Sequence, residues 1–474
     1  MNNRRGGILL AVSSLPGSFG IGDLGKHAYE WIDKLSSTHA SLWQILPLNP
    51  LGYGNSPYQS YSAFAGDEIY ISVEKLYQAL GLSVPSFDVK TGHVDYDAVR
   101  IKKDVFLKEA YAHFVPDENY EKFVKETAWL HDYAVFMSLR TINGFVSWTQ
   151  WTRLIPDEDI VNYHKFLQYI FMEQWLELKA YANAKDVLIM GDIPIYLGHD
   201  SADVYFNRDL FFLDEDGTST LVAGVPPDYF SDEGQLWGNP IYAWERMAKD
   251  NYRYWVDRLS WNQTMFDIIR IDHFRAFDTY WVVDGKSTTA KDGEWRIGPR
   301  NQFFDSMYAQ IPDLKIVVED LGDLRPEVLE LRDDYKLKGM QIIQYSIKKE
   351  EIERDKTMPQ NLLIYTGTHD NQPIGGWVQD NTWKRRMEVR RDIGKCGIKD
   401  FNFIDRVCHY TLSLNADYAI LPMQDILRLG NAARMNAPGT VGSPNWEWKV
   451  VDFDDEFNKR LLKFKIMMEQ TNRN

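Results

Sequence analysis

Eight short, nearly uninterrupted apolar runs punctuate the chain, and between them the pattern switches to helical periodicity. The runs are Gly7–Val12, Ser41–Leu48, Val187–Ile193, Phe266–Phe274, Lys315–Asp320, Met340–Tyr345, Leu362–Thr368 and Tyr418–Met423. A strand buried on both faces reads as continuous apolar sequence, because helices cover both sides of its sheet. The intervening segments supply those helices. Lys26–Ser36 puts Ala28, Trp31, Ile32 and Leu35 on one stripe. Tyr163–Ala182, Ile241–Trp261 and Gly376–Ile393 repeat apolar residues at three and four, and Pro326–Tyr335 opens on a first-turn proline. Eight strand–helix units that close on themselves predict an α/β fold, a (β/α)8 TIM barrel.

Length alone, 474 residues, suggests about three domains at ~150 residues each. The pattern favours one catalytic barrel over 1–474. Two stretches are too long for plain connections: 49–160 after the second run and 194–240 after the third. Both leave C-terminal strand ends, where barrels build active sites, and they are expected to be inserted subdomains that wall a cleft. After residue 425 there is a short loop region and a final helix near 455–470. No C-terminal β-sandwich domain is expected.

Charge narrows the partners. Lys and Arg total 53 against 68 Asp and Glu, a formal net charge of −15. That balance argues against nucleic acid and against an anionic membrane surface. No apolar stretch approaches the ~20 residues that span a bilayer, and the run near the N-terminus lacks the form of a signal peptide. Two cysteines, Cys396 and Cys408, fit a reducing cytoplasm. Aromatic residues reach 14%, with 16 Trp, 26 Tyr and 24 Phe. A large core uses many of them, and a cleft of sugar-binding platforms would use some.

One motif misleads. Gly20, Gly22 and Gly25 match G-x-G-x-x-G between a strand and a helix. A dinucleotide site would place an acid at the end of the next strand, but that strand ends Leu46-Pro47-Leu48-Asn49. The glycines are read as a tight turn.

The chemistry lies at the strand ends. The third run ends in Gly191-Asp192, the fourth carries Arg270-Ile-Asp272-His273, the fifth ends in Glu319-Asp320, and His369-Asp370-Asn371 follows the seventh. A charge in a barrel strand is costly unless paired or functional. Asp272, Glu319 and Asp370 converge on one mouth and form the candidate catalytic trio. Arg270, two residues from Asp272, shares its strand face and competes with any metal. Without a Cys pair or H-E-x-x-H, no metal and no cofactor is expected. Retaining glycosyl transfer needs one carboxylate as nucleophile and a second as acid, then base. Asp272, kept ionised by Arg270, suits the first role. Glu319, with Val317 and Val318 making its surroundings dry, suits the second through a raised pKa. Asp370 would favour the oxocarbenium-like transition state, while His273 and His369 would bond sugar hydroxyls. Two aromatic loops fit the cleft: Tyr53–Ser60, and 223–231 running on to Trp237-Gly-Asn-Pro240.

These motifs resemble a known family. SPYQ and SAFAG (Ser56–Gln59, Ser62–Gly66), RIDHFR (Arg270–Arg275), EDLG (Glu319–Gly322) and GTHDN (Gly367–Asn371) are similar to the 4-α-glucanotransferases of glycoside hydrolase family 77, the amylomaltases, within the α-amylase superfamily. SSLPGSFGIGDLG, WQILPLNP, GDIPIY, AGVPPDYFS and WGNP follow the same order. The resemblance runs from residue 8 to about 448. It implies a nucleophile at Asp272, a general acid/base at Glu319 and a transition-state stabiliser at Asp370. It implies sugar contacts at Arg270, His273 and His369, and substrate-binding positions at Tyr58, Asp192, Asp228, Trp237 and Asn445. Tyr229 and Phe230 match a loop that closes over acceptor subsites. The chain departs from the family pattern at Gln372-Pro373 and at Lys449.

The expectation is therefore a cytoplasmic enzyme that moves segments of α-1,4-glucans and maltooligosaccharides to another glucan or to glucose, with retention and without a cofactor. The alternatives are an α-amylase-like hydrolase with the same trio, and a non-catalytic glucan-binding barrel.

Overall fold

The computed structural model describes residues 4–227, 232–322, 324–347, 352 and 357–473. Among them are twelve strands: β1 (Arg5–Leu9), β2 (Leu42–Gln44), β3 (Leu188–Ile193), β4 (Leu221–Val225), β5 (Gln235–Pro240), β6 (Ile268–Ile271), β7 (Thr279–Asp284), β8 (Glu294–Ile297), β9 (Ile316–Val318), β10 (Gly339–Ile342), β11 (Leu362–Tyr365) and β12 (Tyr418–Pro422). Eight of these form one parallel sheet in the order β10-β11-β12-β1-β2-β3-β6-β9. The ends meet through a parallel bridge between Val317 and Lys338, backed by Val318 N–H donating to Lys338 O at 2.9 Å. The sheet is thus the expected (β/α)8 barrel.

Each barrel strand falls within or against one of the eight apolar runs, and their residues are almost wholly buried. Ile8, Leu42, Ile189, Ile271, Val318, Leu363 and Ile420 lose essentially all contact with solvent, each worth on the order of 2 kcal/mol of apolar burial. Gly191 in β3 is needed for packing: a Cβ there would lie 2.2 Å from the Phe266 ring. The seam between β9 and β10 is the thinnest part of the barrel. Asp320 reinforces it, its carboxylate accepting Met340 N–H at 2.6 Å and Arg332 Nη1 at 2.7 Å.

Helices occur at Lys26–Ser37, Glu158–Ala184, Pro326–Asp334 and Asp455–Gln470, close to the expected spans. Two long helical expectations are each broken into pieces. Over 241–261 the helix is interrupted by Asn251 and Tyr252, both left-handed (φ 58° and 56°), and restarts as Arg253–Met265. Over 376–393 the break falls at Asn381–Thr382, where the Thr382 side chain caps a new helix, Trp383–Lys395. Side-chain periodicity continues across a short kink, so it does not reveal one.

Between β2 and β3 the chain forms the helices Val73–Ala79, Tyr96–His113, Glu118–Glu126 and Leu130–Ile142 before reaching Glu158–Ala184. A second sheet was not foreseen. It is antiparallel, in the order β5-β4-β7-β8, and joins residues after β3 to the hairpin 279–297 after β6. Val222, Val283 and Ala290 make its small core. The G-x-G-x-x-G segment is a packed turn: a Cβ on Gly22 would sit 2.0 Å from Val12 O, and Asp23 accepts Gly25 N–H and pairs with buried Lys103.

Candidate active site

Arg270 organises the mouth of the barrel. It ends in a guanidinium that is only 2% exposed, carried on β6 between β3 and β9. Its Nη1 lies 2.6 Å from both oxygens of Asp192 at the end of β3, and 3.1 Å from Asp272 Oδ1 just beyond β6. Its Nη2 donates a short hydrogen bond to Glu319, which directly follows β9. One planar cation therefore joins carboxylates from three neighbouring strands, a geometry that a fork of fixed N–H donors serves well.

Backbone pairing aims these acids. Asp272 N–H donates to Ile193 O at 3.0 Å, Glu319 N–H to Ile271 O at 3.0 Å and Phe274 N–H to Glu319 O at 3.0 Å. His273 adopts the left-handed region (φ 51°), which lets the chain turn out of β6 while its N–H reaches Glu319 at 3.4 Å. Asp272 and Glu319 are hydrogen-bonded to each other, and their side chains keep about a quarter of their surface open.

The distribution of charge between them reverses the sequence expectation. Burial and the neighbouring Glu319 carboxylate push Asp272 well above the usual carboxylate range. Burial also pushes Glu319 upward, but the Arg270 cation, the hydrogen bond from Asp272 and His273 outweigh it and hold Glu319 down to about 2. Two carboxyls this close cannot both ionise easily, so the pair keeps one proton. The two opposite directions favour that proton on Asp272. Asp192, bonded to the same Nη1 that faces Asp272, adds to this, while the other arm of Arg270 serves Glu319. The sequence shows Arg270 beside Asp272 but not the partner 78 residues away.

Asp370 stands across the mouth. Its Oδ1 accepts Asn436 Nδ2 at 2.6 Å, its carbonyl accepts Arg434 at 2.6 Å, and its carboxylate remains 38% exposed. Asn371 ties Thr368 N–H at 2.8 Å to the hydroxyl of Tyr345 at 2.6 Å. Tyr58 donates to Asp192 at 2.9 Å and stacks on His369, with centroids 5.2 Å apart at 16°. Trp446 packs against both rings. Trp237 meets His273 edge-on at 4.8 Å. Gln59 and Asn239 bond through their amides at 3.1 Å, tying the Tyr58 loop to the Trp237 strand. Burial lowers His273 to about 4, so its ring is neutral near pH 7.

Asp272, Glu319, Asp370, Arg270, His273, His369, Tyr58, Asp192 and Trp237 thus share one mouth. Asp192 has no exposed side-chain surface, so it meets the cleft only through Arg270 and Tyr58. Asn445 spends its amide on Ala437 N–H and Thr440 Oγ1, closing the loop 437–445. Asp228, Tyr229 and Phe230 lie outside the described residues. Sequence reasoning missed Asn436, Arg434 and Tyr345. The first two sit in a loop with no apolar pattern, and Tyr345 closes an apolar run that reads as core. At the departures, Pro373 caps the helix Ile374–Asp380, and Lys449 is buried, its amine facing the carbonyls of Thr91 and Val450.

A closed parallel barrel with a hydrogen-bonded carboxylate pair, a third carboxylate and flanking aromatic residues at its C-terminal mouth defines a glycoside-processing enzyme. A family profile described as 4-alpha-glucanotransferase matches residues 10–453. The chain is 40% identical to the 4-alpha-glucanotransferase of Clostridium butyricum over 481 residues, covering 95% of this chain and 98% of that one. It is 36% identical to the one of Thermus thermophilus over 501 residues, covering 98% of each. The structure of an amylomaltase from Streptococcus agalactiae in complex with acarbose superposes with a TM-score of 0.93 at 33% identity, covering 99% of this chain and all of that one. The chain belongs to the 4-alpha-glucanotransferase family, enzymes that transfer segments of α-1,4-glucans.

Proposed function

We propose that Asp272 is the nucleophile, Glu319 the acid and then base, and Asp370 the stabiliser of the transition state. The observation that carries this is Arg270: one guanidinium holds Asp272 and Glu319 together at the ends of neighbouring strands. An inverting enzyme keeps its carboxyls ~6.5–9.5 Å apart to admit a water; a retaining enzyme needs ~5–5.5 Å. The hydrogen-bonded pair is on the retaining side.

The resting proton must change place before reaction. As a glucan enters, the proton passes from Asp272 to Glu319 along their hydrogen bond, and the two carboxyls then separate around the glycosidic bond. Arg270 Nη1, already 3.1 Å from Asp272, then holds the new carboxylate. Asp272 attacks the anomeric carbon as Glu319 gives its proton to the departing glycosidic oxygen. A glucosyl ester forms on Asp272. Glu319, now a carboxylate, takes the proton from the 4-hydroxyl of a second glucan or of glucose, and that oxygen displaces Asp272 with net retention. Neutral His273, with His369 and Tyr58, bonds or packs against the sugar. Asp192 positions Arg270, and Asn445 acts through the loop it closes.

We assign Asp228, Tyr229 and Phe230 to the acceptor side with Trp237, and 49–160 and 194–240 to the walls of the cleft. A cytoplasmic location is part of the same reading. It is supported by the low count of two cysteines, Cys396 and Cys408.

Incubation with maltotriose tests the function. Longer maltooligosaccharides should appear alongside glucose and maltose; shortening without elongation would make the protein a hydrolase. Asp272→Ala and Glu319→Ala should each keep the fold and lose orders of magnitude in rate. Near-native turnover in either would remove that residue from the mechanism.

A further inference from the structure

One sizeable cavity lies away from the barrel mouth. A space of about 630 Å³ lies on the flank of the barrel, between the helix Arg253–Met265, the stretch 126–133 and the segment 202–210. Its size falls within the ~300–1,000 Å³ typical of ligand pockets. None of the candidate site residues lines it.

Its walls combine two chemistries. Four aromatic rings pack around it, two pairs edge to face and one stacked. Trp129 meets Trp261 at 5.1 Å and 71°, Phe64 lies over Trp129 at 6.2 Å and 23°, and Tyr254 meets Phe64 at 6.0 Å and 84°. They are held rigidly: Trp261 donates its indole N–H to Phe64 O at 2.8 Å, and Tyr254 donates to buried Asp203 at 2.8 Å. Phe206, 39% exposed, adds a face at the opening. The rim is acidic, with Glu126, Asp132, Asp209 and Asp250 exposed on it. The one cation on the wall among the described residues, Arg253, is already paired with Asp257 at 2.8 Å. Anionic ligands meet no free positive charge and several negative ones.

Shape adds to this. Residues 253, 257, 260, 261 and 264 form one stripe of the helix, so that wall runs straight for about 16 Å at ~1.5 Å per residue. A long trough with ring faces and carboxylate acceptors suits a linear, neutral polyhydroxylated chain: apolar C–H faces stack on rings, and hydroxyl groups donate to carboxylates. Ser62 and Phe64, on its floor, belong to the same loop as Tyr58 and Gln59, so the trough adjoins the loop that enters the catalytic mouth.

We propose that this cavity is a second, non-catalytic glucan-binding groove that anchors long α-1,4-glucans while one end is processed. The proposal rests on the glucan reading of the active site. Maltoheptaose is titrated calorimetrically into the Asp272→Ala protein, alone and combined with Trp129→Ala and Phe206→Ala. Trp129 spends no hydrogen bond on its indole N–H among the described residues, so its truncation removes a ring without stranding an acceptor. The expected result is two sites per chain, reduced to one by the added substitutions. In the protein with Asp272 intact, the same pair should leave maltotriose turnover within twofold and raise the KM for amylose at least fivefold. If Trp129→Ala fails to fold, Phe206→Ala with Asp257→Asn carries the comparison. One site in both titrations, or an unchanged KM for amylose, would overturn the proposal. So would saturation of the cavity by spermidine but not by maltoheptaose, which would make it a cation site. Loss of maltotriose disproportionation with both binding sites intact would instead overturn the catalytic reading alone.

Discussion

Arg270 and Arg473 are both buried, one at each end of the barrel, and they are satisfied in different ways. At the C-terminal mouth, Arg270 meets three carboxylates, from Asp192, Asp272 and Glu319. Beneath the N-terminal face, Arg473 meets carbonyls: Leu412, Leu414, Ala416, Arg5 and Asp417 accept its five N–H donors at 2.6–3.3 Å. Arg4 beside it donates to Leu412, Ser413, Leu414 and Thr471 in the same manner. Burial pulls the pKa of Arg473 down, and the Arg4 cation adds to this. For Arg270 the three acids outweigh burial, and its pKa is raised. Carbonyls accept a cation's hydrogen bonds without gaining or losing a proton, so Arg473 closes the barrel floor and does nothing further. Carboxylates can exchange protons and attack carbon, so the same residue type at the mouth stands where the proposed chemistry would occur.

The sharpest break in the comparison is substitution of each arginine. Arg270→Lys keeps the charge but replaces a planar fork with a point that cannot bridge three carboxylates. Its kcat on maltotriose should fall by about 10³ or more, while circular dichroism stays native-like; a loss under tenfold would mean that the fork is dispensable. Arg473→Ala should do the opposite. It removes five hydrogen bonds from buried carbonyls, only some of which keep a second donor, so unfolding should become easier by about 3 kcal/mol, seen as a marked drop in melting temperature. Turnover per folded molecule should stay within twofold, and a kcat that tracked the melting temperature would show that floor and mouth are coupled.

How much of this contrast the sequence carries depends on distance along the chain. The barrel is legible because each strand is its own apolar run. The convergence of three carboxylates is legible because each lies just beyond a strand that such a run forms, as with Asp272 after Ile271 and Glu319 after Val318. The electrostatics are not. Asp192 captures Arg270 from 78 residues away, and Asn436 reaches Asp370 from 66 away; no local pattern encodes either bond. The antiparallel sheet was missed for a related reason. β4 and β5 come from one excursion and β7 and β8 from another, so its edges are joined only in space. The role of Arg473 was equally hidden, since nothing near residue 473 marks it as a plug for strand ends around 5 and 417.

The mouth, unlike the floor, should respond to pH in its kinetics. With Glu319 held at about 2 and Asp272 raised, the free pair carries one proton across a wide range. On the acid side kcat/KM should therefore stay level until the fold itself fails, because adding a second proton requires pH near 2. On the alkaline side it should fall about tenfold per pH unit once the last proton leaves. A carboxylate-like acid limb between pH 4 and 5 would mean that Arg270 does not hold Glu319 ionised in solution. Asp192→Asn should remove one contribution to the raised Asp272 directly. It frees Nη1 of Arg270 to serve Asp272, so the alkaline fall should begin at lower pH than in the native enzyme.

Tyr58→Phe sharpens the contrast from the weak side. It deletes one neutral hydroxyl from Asp192 but leaves both Arg270–Asp192 contacts and the stack on His369. If charge does the work at the mouth, losing a neutral bond should cost about 1 kcal/mol, a fall of roughly fivefold in kcat, with KM for maltotriose within twofold because the ring remains. A loss matching that of Arg270→Lys would mean that the hydroxyl itself meets the sugar or the shared proton. Tyr58 would then belong among the groups that react, not among those that hold Asp192 in place.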